Sequence, residues 1–526
     1  MDNNTEEFWW QGESDSLALG QDKESLLSAL TTSYYVVYQA GQVQLQTKGQ
    51  LTRHFVPGAQ PCVGILPAVN QQKLGDAGFA QRHQVKTSYM AGAMANGISS
   101  TDLVIAMGKA GYLAAFGSGG LRLSAIEQAL KVLCQALPQG PFAMNLLHNP
   151  HNSDEEMAIV DLYVTYGVKT VEASAYILPS LALAYYRIAG LEQGANGEII
   201  ARHHIIAKVS RGEVARRFMA PPEPALIEQL LQQQRITPLQ AKLAAQLPLA
   251  QDITIEADSG GHTDNRPLVS LLPSMIALSS QLQAQYQYPQ AVRIGAAGGI
   301  STPEAITGAY AMGAAYVVTG SINQACREAG TSAQVKALLA QAEMPDVMMA
   351  PSADMFEQGS KVQVLKKGTM FGLHAQKLYQ VYKQYRSVEE LPVPVIKQLE
   401  QRIFKRSLPE VWQAVQDYFS QQDPRQLQKA AQDSKHKLAL MIRWYLGNSS
   451  RWAIDHNAER IGDAQIWCGQ AMGAFNEWAK GSALAEVNNR YVVDVADALM
   501  QGASQHLRLS QLKQMTAELD VVAARA

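Results

Sequence analysis

One stretch of this chain places a titratable group among residues that free the backbone: EADSGGHTDNRP, Glu256 to Pro267. Gly260 and Gly261 let the main chain lie against a flat ligand, and the residue that follows, His262, is of the side-chain type most often used for proton transfer. The residues alone leave a second reading open, in which His262 only holds its loop. Another stretch is built for an anion. VRIGAAGGISTPEAITGAYAMGAAYVVTGS, Val292 to Ser321, reads as two strands ending in Gly298-Gly299 and Gly320-Ser321. A helix opens just after the first pair at Ser301, Thr302 and Pro303, an N-cap followed by an early proline. Glycines let a phosphate approach, and the N–H groups of a helix start supply donors. Polar residues also sit at the ends of otherwise apolar runs: Asn145, Glu172, Ser174 and Lys208. Each needs a partner if buried.

Positioning all of these at one mouth requires a closed parallel sheet. Eight short, mostly apolar runs answer to it: Val85 to Met90, Leu113 to Gly117, Phe142 to Leu147, Val168 to Ser174, Ile205 to Ser210, Ile253 to Ala257, Val292 to Ala297 and Tyr316 to Thr319. Each is followed by a stretch with helical spacing, the pattern of buried parallel strands alternating with helices. The span from 85 to 342 matches the ~250 residues typical of a TIM (β/α)8 barrel, whose phosphate site follows strands seven and eight. The alternative is a doubly wound open sheet, but no GxGxxG opens the first unit, and Gly117-Ser118-Gly119-Gly120 lacks the spacing. A phosphate site with hydrogen-bonding groups around a ring-sized mouth suggests flavin mononucleotide (FMN).

The fold class expected is therefore α/β: a barrel over 81–342, a small β-rich module over 1–80, and a helical subdomain over 343–526 in which Trp412, Trp444, Trp452, Trp467 and Trp478 concentrate. A helical insertion at about 211–250, with Pro221 to Pro248 longer than a normal connection, is expected to shape the substrate entrance. The net charge of −2 gives no reason to expect nucleic acid or an anionic membrane as partner. No apolar run is long enough to span a bilayer, and the acidic start MDNNTEEFWW is unlike a signal peptide. Cys62, Cys134, Cys326 and Cys468 form no CxxC pair, so reduced thiols in a cytoplasm are expected. His148 and His151 lack a third ligand, and no metal site is expected. Asp15-Ser16-Leu17 copies the signature around the serine of acyl carrier proteins, but too little chain precedes it for a carrier; Asp15 or Ser16 reads better as a helix cap.

SGGH at 259 to 262, AAGGI at 296 to 300 and TGS at 319 to 321 resemble the flavin barrel of nitronate monooxygenases and FabK-type enoyl reductases. YMAGAMANGISS, FAMNLLHNP, VEASAY, EADSGGHTDNRP, RWYLGNSSRW and QIWCGQAMGAFNEW resemble the PfaD-type enoyl reductase of polyunsaturated fatty acid synthases, with relatives acting in trans on polyketide synthases. The resemblance covers nearly the whole chain. It implies that NADPH reduces FMN and that the flavin passes hydride to the β-carbon of a trans-2-enoyl thioester on a phosphopantetheine arm. It also implies roles for residues. Gly298, Gly299, Gly320 and Ser321 would hold the FMN phosphate, and Ala91, Gly92, Asn145 and Lys208 would lie along the ring and ribityl chain, with Ser174 and Gly261 beside them. His262 would donate the proton to the α-carbon or polarise the thioester, with Lys208 or water as the other proton source.

The substrate would then arrive on another polypeptide, an acyl carrier protein docking against the helical region or the 221 to 248 excursion. Lys366-Lys367 and Arg402 to Arg406 are candidate contacts, although solvated helix faces explain them better; a homodimer also stays open. Two other function classes remain: a nitronate monooxygenase-like flavin oxidase, and a non-catalytic assembly subunit. The turn Ala91-Gly92-Ala93-Met94 lacks the proline associated with the oxidases, and preference for NADPH over NADH rests on resemblance alone.

Overall fold

Eight parallel strands close into a barrel in the computed structural model, which describes residues 8–13, 17–18, 23–39, 42–150, 152–455, 457 and 459–523. In chain order these strands are β1 (Tyr89–Ala91), β2 (Leu113–Phe116), β3 (Ala143–Leu147), β4 (Thr170–Ser174), β5 (His204–Val209), β6 (Asp252–Glu256), β7 (Arg293–Ala297) and β8 (Val317–Thr319). Every neighbour in the barrel is a sequence neighbour, and β8 closes on β1 through Thr319 and Ala91. All four residues of β2 are buried, as a strand covered on both faces must be. The expected TIM barrel is thus present.

Its first strand is shorter than expected. Val85 and Lys86 follow a helix, Ala77–His83, that ends on left-handed Gln84 (φ 56°), and pairing begins only at Tyr89. The barrel floor, at the N-terminal ends of the strands, is an ionic cluster. His83 Nε2 lies 3.0 Å from Asp252 Oδ2, and Arg293 Nε donates to Asp252 Oδ1 at 2.7 Å. Chemistry on this floor serves stability, because a barrel's reactive groups gather at the opposite end.

The N-terminal strands form a six-stranded antiparallel sheet. Tyr34, Val36, Leu45 and Leu66 pack there with Leu512 of the last helix, Val492–Ala523. Asp15, Ser16 and His151 lie outside the described residues.

The region after 343 departs from the expected helical subdomain in two ways. It opens with an antiparallel hairpin, Val347–Pro351 with Lys361–Leu365. It then divides between two cores: Val362, Val364, Phe371, Leu440 and Leu446 pack in a cluster of their own, whereas Leu365, Ile466, Cys468, Met472, Phe475 and Leu499 join the barrel core. The excursion after β5 also divides. Its helices Pro224–Gln232 and Pro238–Ala244 pack outside the barrel against Leu181–Ala189 and the small hairpin Leu191–Gln193/Ile199–Ala201, so only its beginning reaches the entrance. No helix among the described residues is long and apolar enough to cross a membrane.

Candidate active site

The C-terminal ends of the barrel strands open into a cavity of about 1440 Å³. Gly92, Asn145, Ser174, Lys208, Gly261, His262, Gly298, Gly299, Gly320 and Ser321 all line it. Ala91 is the exception among the residues expected there. It is fully buried in β1, paired with Ala114 and Thr319, and Gly92 and Ala93 present the turn to the cavity instead.

Gly298 and Gly299 leave β7 with φ of 86° and 74°, the left-handed region that favours glycine. A Cβ on Gly298 would meet the Ala257 carbonyl carbon at 2.7 Å, so that glycine is required by the neighbouring strand end. A Cβ on Gly299 or Gly320 would meet nothing within 4 Å and would stand in the cavity. Thr302 caps the helix Pro303–Ala311, its side chain accepting from Ala305 N, as the sequence predicts. Two turns with open space before them fit a phosphate monoester. Ser321 Oγ accepts from Gly469 N at 3.1 Å, which ties this cradle to the C-terminal region.

The polar strand ends form one network. Asn145 Nδ2 donates to the Glu172 carbonyl at 2.9 Å and to Ser174 Oγ at 3.0 Å, while Tyr163 OH donates to the Asn145 carbonyl at 2.6 Å. The Asn145 amide is therefore oriented from behind. Glu172 is fully buried; its Oε2 accepts from Ala93 N at 2.8 Å, and its Oε1 has no hydrogen-bond partner among the described residues. Burial holds its carboxyl above the ordinary range, although Lys208 and the Ala93 N–H oppose this. Lys208 Nζ lies 3.1 Å from Glu256 Oε1. Burial alone would lower the Lys208 ammonium, but Glu256 and Glu172 outweigh it and hold it above its ordinary value, so it stays charged at the cavity wall.

His262 is held from outside the barrel. Gly261–His262 is a two-residue strand pairing antiparallel with Gln363 and Val362, which makes the hairpin after 347 a three-stranded sheet. Gly260 lets the same loop lie against the Cys468–Gly469 backbone, since a Cβ there would be 2.9 Å from Cys468 backbone atoms. The imidazole Nε2 is 3.4 Å from Asp354 Oδ2, each side chain 55% exposed, an ion pair worth little by itself.

Sequence reasoning missed several lining residues. Glu256 was recognisable as the counter-charge that a buried Lys208 needs on the next strand. Met349, Met355 and Trp467 reach the cavity through long-range packing and carry no local signal.

Residues 80–375 match the family model for nitronate monooxygenase, and residues 385–463 match that of the inserted helical domain of acyl-carrier-protein S-malonyltransferase. The chain is 43% identical over 509 residues to one chain of the polyunsaturated fatty acid synthase of Thraustochytrium sp., covering 95% of this chain and 34% of that one. It is 39% identical over 477 residues to polyketide biosynthesis protein PksE of Bacillus subtilis, covering 89% and 62%. The enoyl reductase domain of MlnA, from the macrolactin biosynthesis cluster of Bacillus amyloliquefaciens, superimposes with a TM-score of 0.81 at 38% identity, covering 84% of this chain and 99% of that one. The chain thus spans 34% and 62% of the length of these two curated relatives.

Barrel, glycine cradle and mouth define a member of the nitronate monooxygenase class of flavin barrels. Within that class, the chain belongs to the PfaD-type enoyl reductase family.

Proposed function

We propose that this protein is an FMN-dependent enoyl reductase that uses NADPH to saturate the trans-2 double bond of enoyl thioesters, acting in trans on an acyl carrier protein in polyunsaturated fatty acid or polyketide biosynthesis. The observation that carries the reading is the convergence of a phosphate-sized glycine cradle, a charged Lys208 and an accessible His262 on one cavity. Gly298, Gly299, Gly320 and Ser321 would hold the cofactor phosphate, and Gly92, Asn145, Ser174, Lys208 and Gly261 would lie along the ribityl chain and ring. A bound flavin would supply the hydride chemistry between NADPH and the β-carbon of the enoyl unit.

The chain supplies position and protons. Asn145 is pre-oriented by its own hydrogen bonds, so it need not reorganise to meet a polar edge. Lys208 offers fixed positive charge where negative charge develops. His262, at the cavity wall, is the group for the proton at the α-carbon; the alternative role is polarising the thioester carbonyl, with Lys208 or water as donor.

The match of residues 385–463 to a helical domain of an enzyme that acts on acyl carrier proteins supports a carrier-borne substrate. Four free cysteines, two of them buried, are consistent with a reducing cytoplasm.

The test is spectroscopic. The protein loaded with FMN is titrated anaerobically with NADPH, then with crotonyl-pantetheine. Bleaching by NADPH and recovery of colour on adding the thioester support the reductase. Recovery only with oxygen or a nitroalkane would assign an oxidase, and failure to take up FMN would leave a scaffold.

A further inference from the structure

One wall of the cavity is apolar and bare. Leu147 at the end of β3, and Ile177 and Leu178 in the turn after β4, line the cavity while 40%, 71% and 50% exposed. Leu147 pairs across the sheet with Ser174, so the three belong to adjoining strand ends. Scattered exposed leucines mean little, but neighbours bordering one cavity mark a surface that something apolar covers.

The turn that projects them is held at both ends. Tyr176 OH donates to the buried Glu156 Oε1 at 2.8 Å, and the Ser180 hydroxyl donates to the same oxygen. His148 stacks on Tyr176 at 4.7 Å between centroids, with its Nδ1 3.0 Å from Glu156 Oε2. Ala175 adopts φ 64°, a left-handed conformation that non-glycine residues rarely take, and the anchored turn maintains it. Ile177 and Leu178 lie between the two anchors. Their exposure is a fixed feature of the wall, so a ligand laid on it need not order the turn first.

We infer that Leu147, Ile177 and Leu178 form a subsite for the hydrocarbon tail of the acyl chain, beyond the reacting double bond. This rests on the enoyl thioester reading of the same cavity, with which the patch is continuous. The tail is the occupant because it is the one part of such a substrate with no polar atoms to satisfy. The subsite makes the protein selective for longer acyl chains: each methylene brought fully out of water contributes up to about fourfold in binding.

Equilibrium binding of saturated acyl-pantetheine thioesters to the FMN-loaded protein tests this without turnover. Octanoyl-pantetheine is expected to bind at least about tenfold more tightly than butyryl-pantetheine. In the double variant Ile177→Ser/Leu178→Ser that ratio falls to within about twofold, while far-ultraviolet circular dichroism and FMN retention match the unsubstituted protein; both side chains are exposed, so the fold does not depend on them. Equal binding of the two thioesters by the unsubstituted protein, or an unchanged ratio in the variant, overturns the subsite. Selective binding together with no reduction of crotonyl-pantetheine would instead sink the reductase reading and leave the subsite standing.

Discussion

Lys208 Nζ sits 3.1 Å from Glu256 Oε1 and joins the ends of two neighbouring barrel strands, with the Glu172 carboxylate acting on the same ammonium. One cation therefore serves two acids at the cavity wall. Replacing Lys208 with Met leaves both carboxylates without it. Fully buried pairs lose about 3–5 kcal/mol when one partner is removed. Here the side chains are 16% and 26% exposed, and about 1–3 kcal/mol is expected after discounting for solvent. Urea unfolding of Lys208→Met measures it, and Lys208→Met/Glu256→Gln should recover part of the loss. No recovery would mean that the pair is not the origin.

On the proposed reading, His262 would act on the second half of the reaction. With His262→Ala, reduction of the bound flavin by NADPH should change by less than about twofold, while reoxidation by an enoyl thioester slows by about 10²–10⁴. Stopped-flow absorbance separates the two steps. Equal slowing of both would assign His262 to the cofactor site rather than to proton transfer.

Two glycines of the cradle should fail differently. Gly298→Ala forces a Cβ to 2.7 Å from the Ala257 carbonyl carbon at φ 86°, and unfolding should become easier by about 1–3 kcal/mol. Gly320→Ala places its methyl in open cavity. Its apo form should unfold closer to the unsubstituted midpoint, yet bind FMN at least about tenfold more weakly, as steric exclusion of a phosphate implies. Fluorescence titration with FMN is the check; unchanged affinity would place the phosphate elsewhere.

Acid should loosen the C-terminal subdomain through Asp463. Burial pushes its carboxyl up, but His374, Lys405 and Arg460 outweigh this and hold it down at about 2. A carboxyl lowered on folding contributes stability that is fully present above its unfolded value near 4 and is lost as pH falls through 2. The contribution is roughly 2 kcal/mol. Urea midpoints between pH 5 and 2, read from tryptophan emission near Trp444 and Trp452, should show this slope, and Asp463→Asn should flatten it.

The barrel was legible because a strand buried on both faces must be written in apolar residues, and glycines at the ends of β7 and β8 mark where the backbone leaves the sheet. The cradle, Asn145, Lys208 and His262 followed from that register. Ala91 was placed one position too early, since the turn faces the cavity only from Gly92 onward. The hairpin after 347 was not legible: VMMAP and KVQVL are short, lie beside helical patterns, and gain their identity by pairing with each other and with Gly261–His262. Periodicity reports local structure, and that pairing spans about a hundred residues of chain. The split of the last region between two cores escaped notice for the same reason.

The pairing of Gly261–His262 with Val362 and Gln363 carries a consequence for how this enzyme can be recombined. In most barrels a loop can be exchanged as a unit, since its ends are fixed by the strand before and the helix after it. Here a crossover anywhere between 263 and 361 would join one parent's histidine to the other parent's central strand, and His262 would inherit a foreign register. Selection on such chimeras acts on the two segments as a single heritable block, although two whole barrel strands, several helices and a glycine cradle lie between them in the gene.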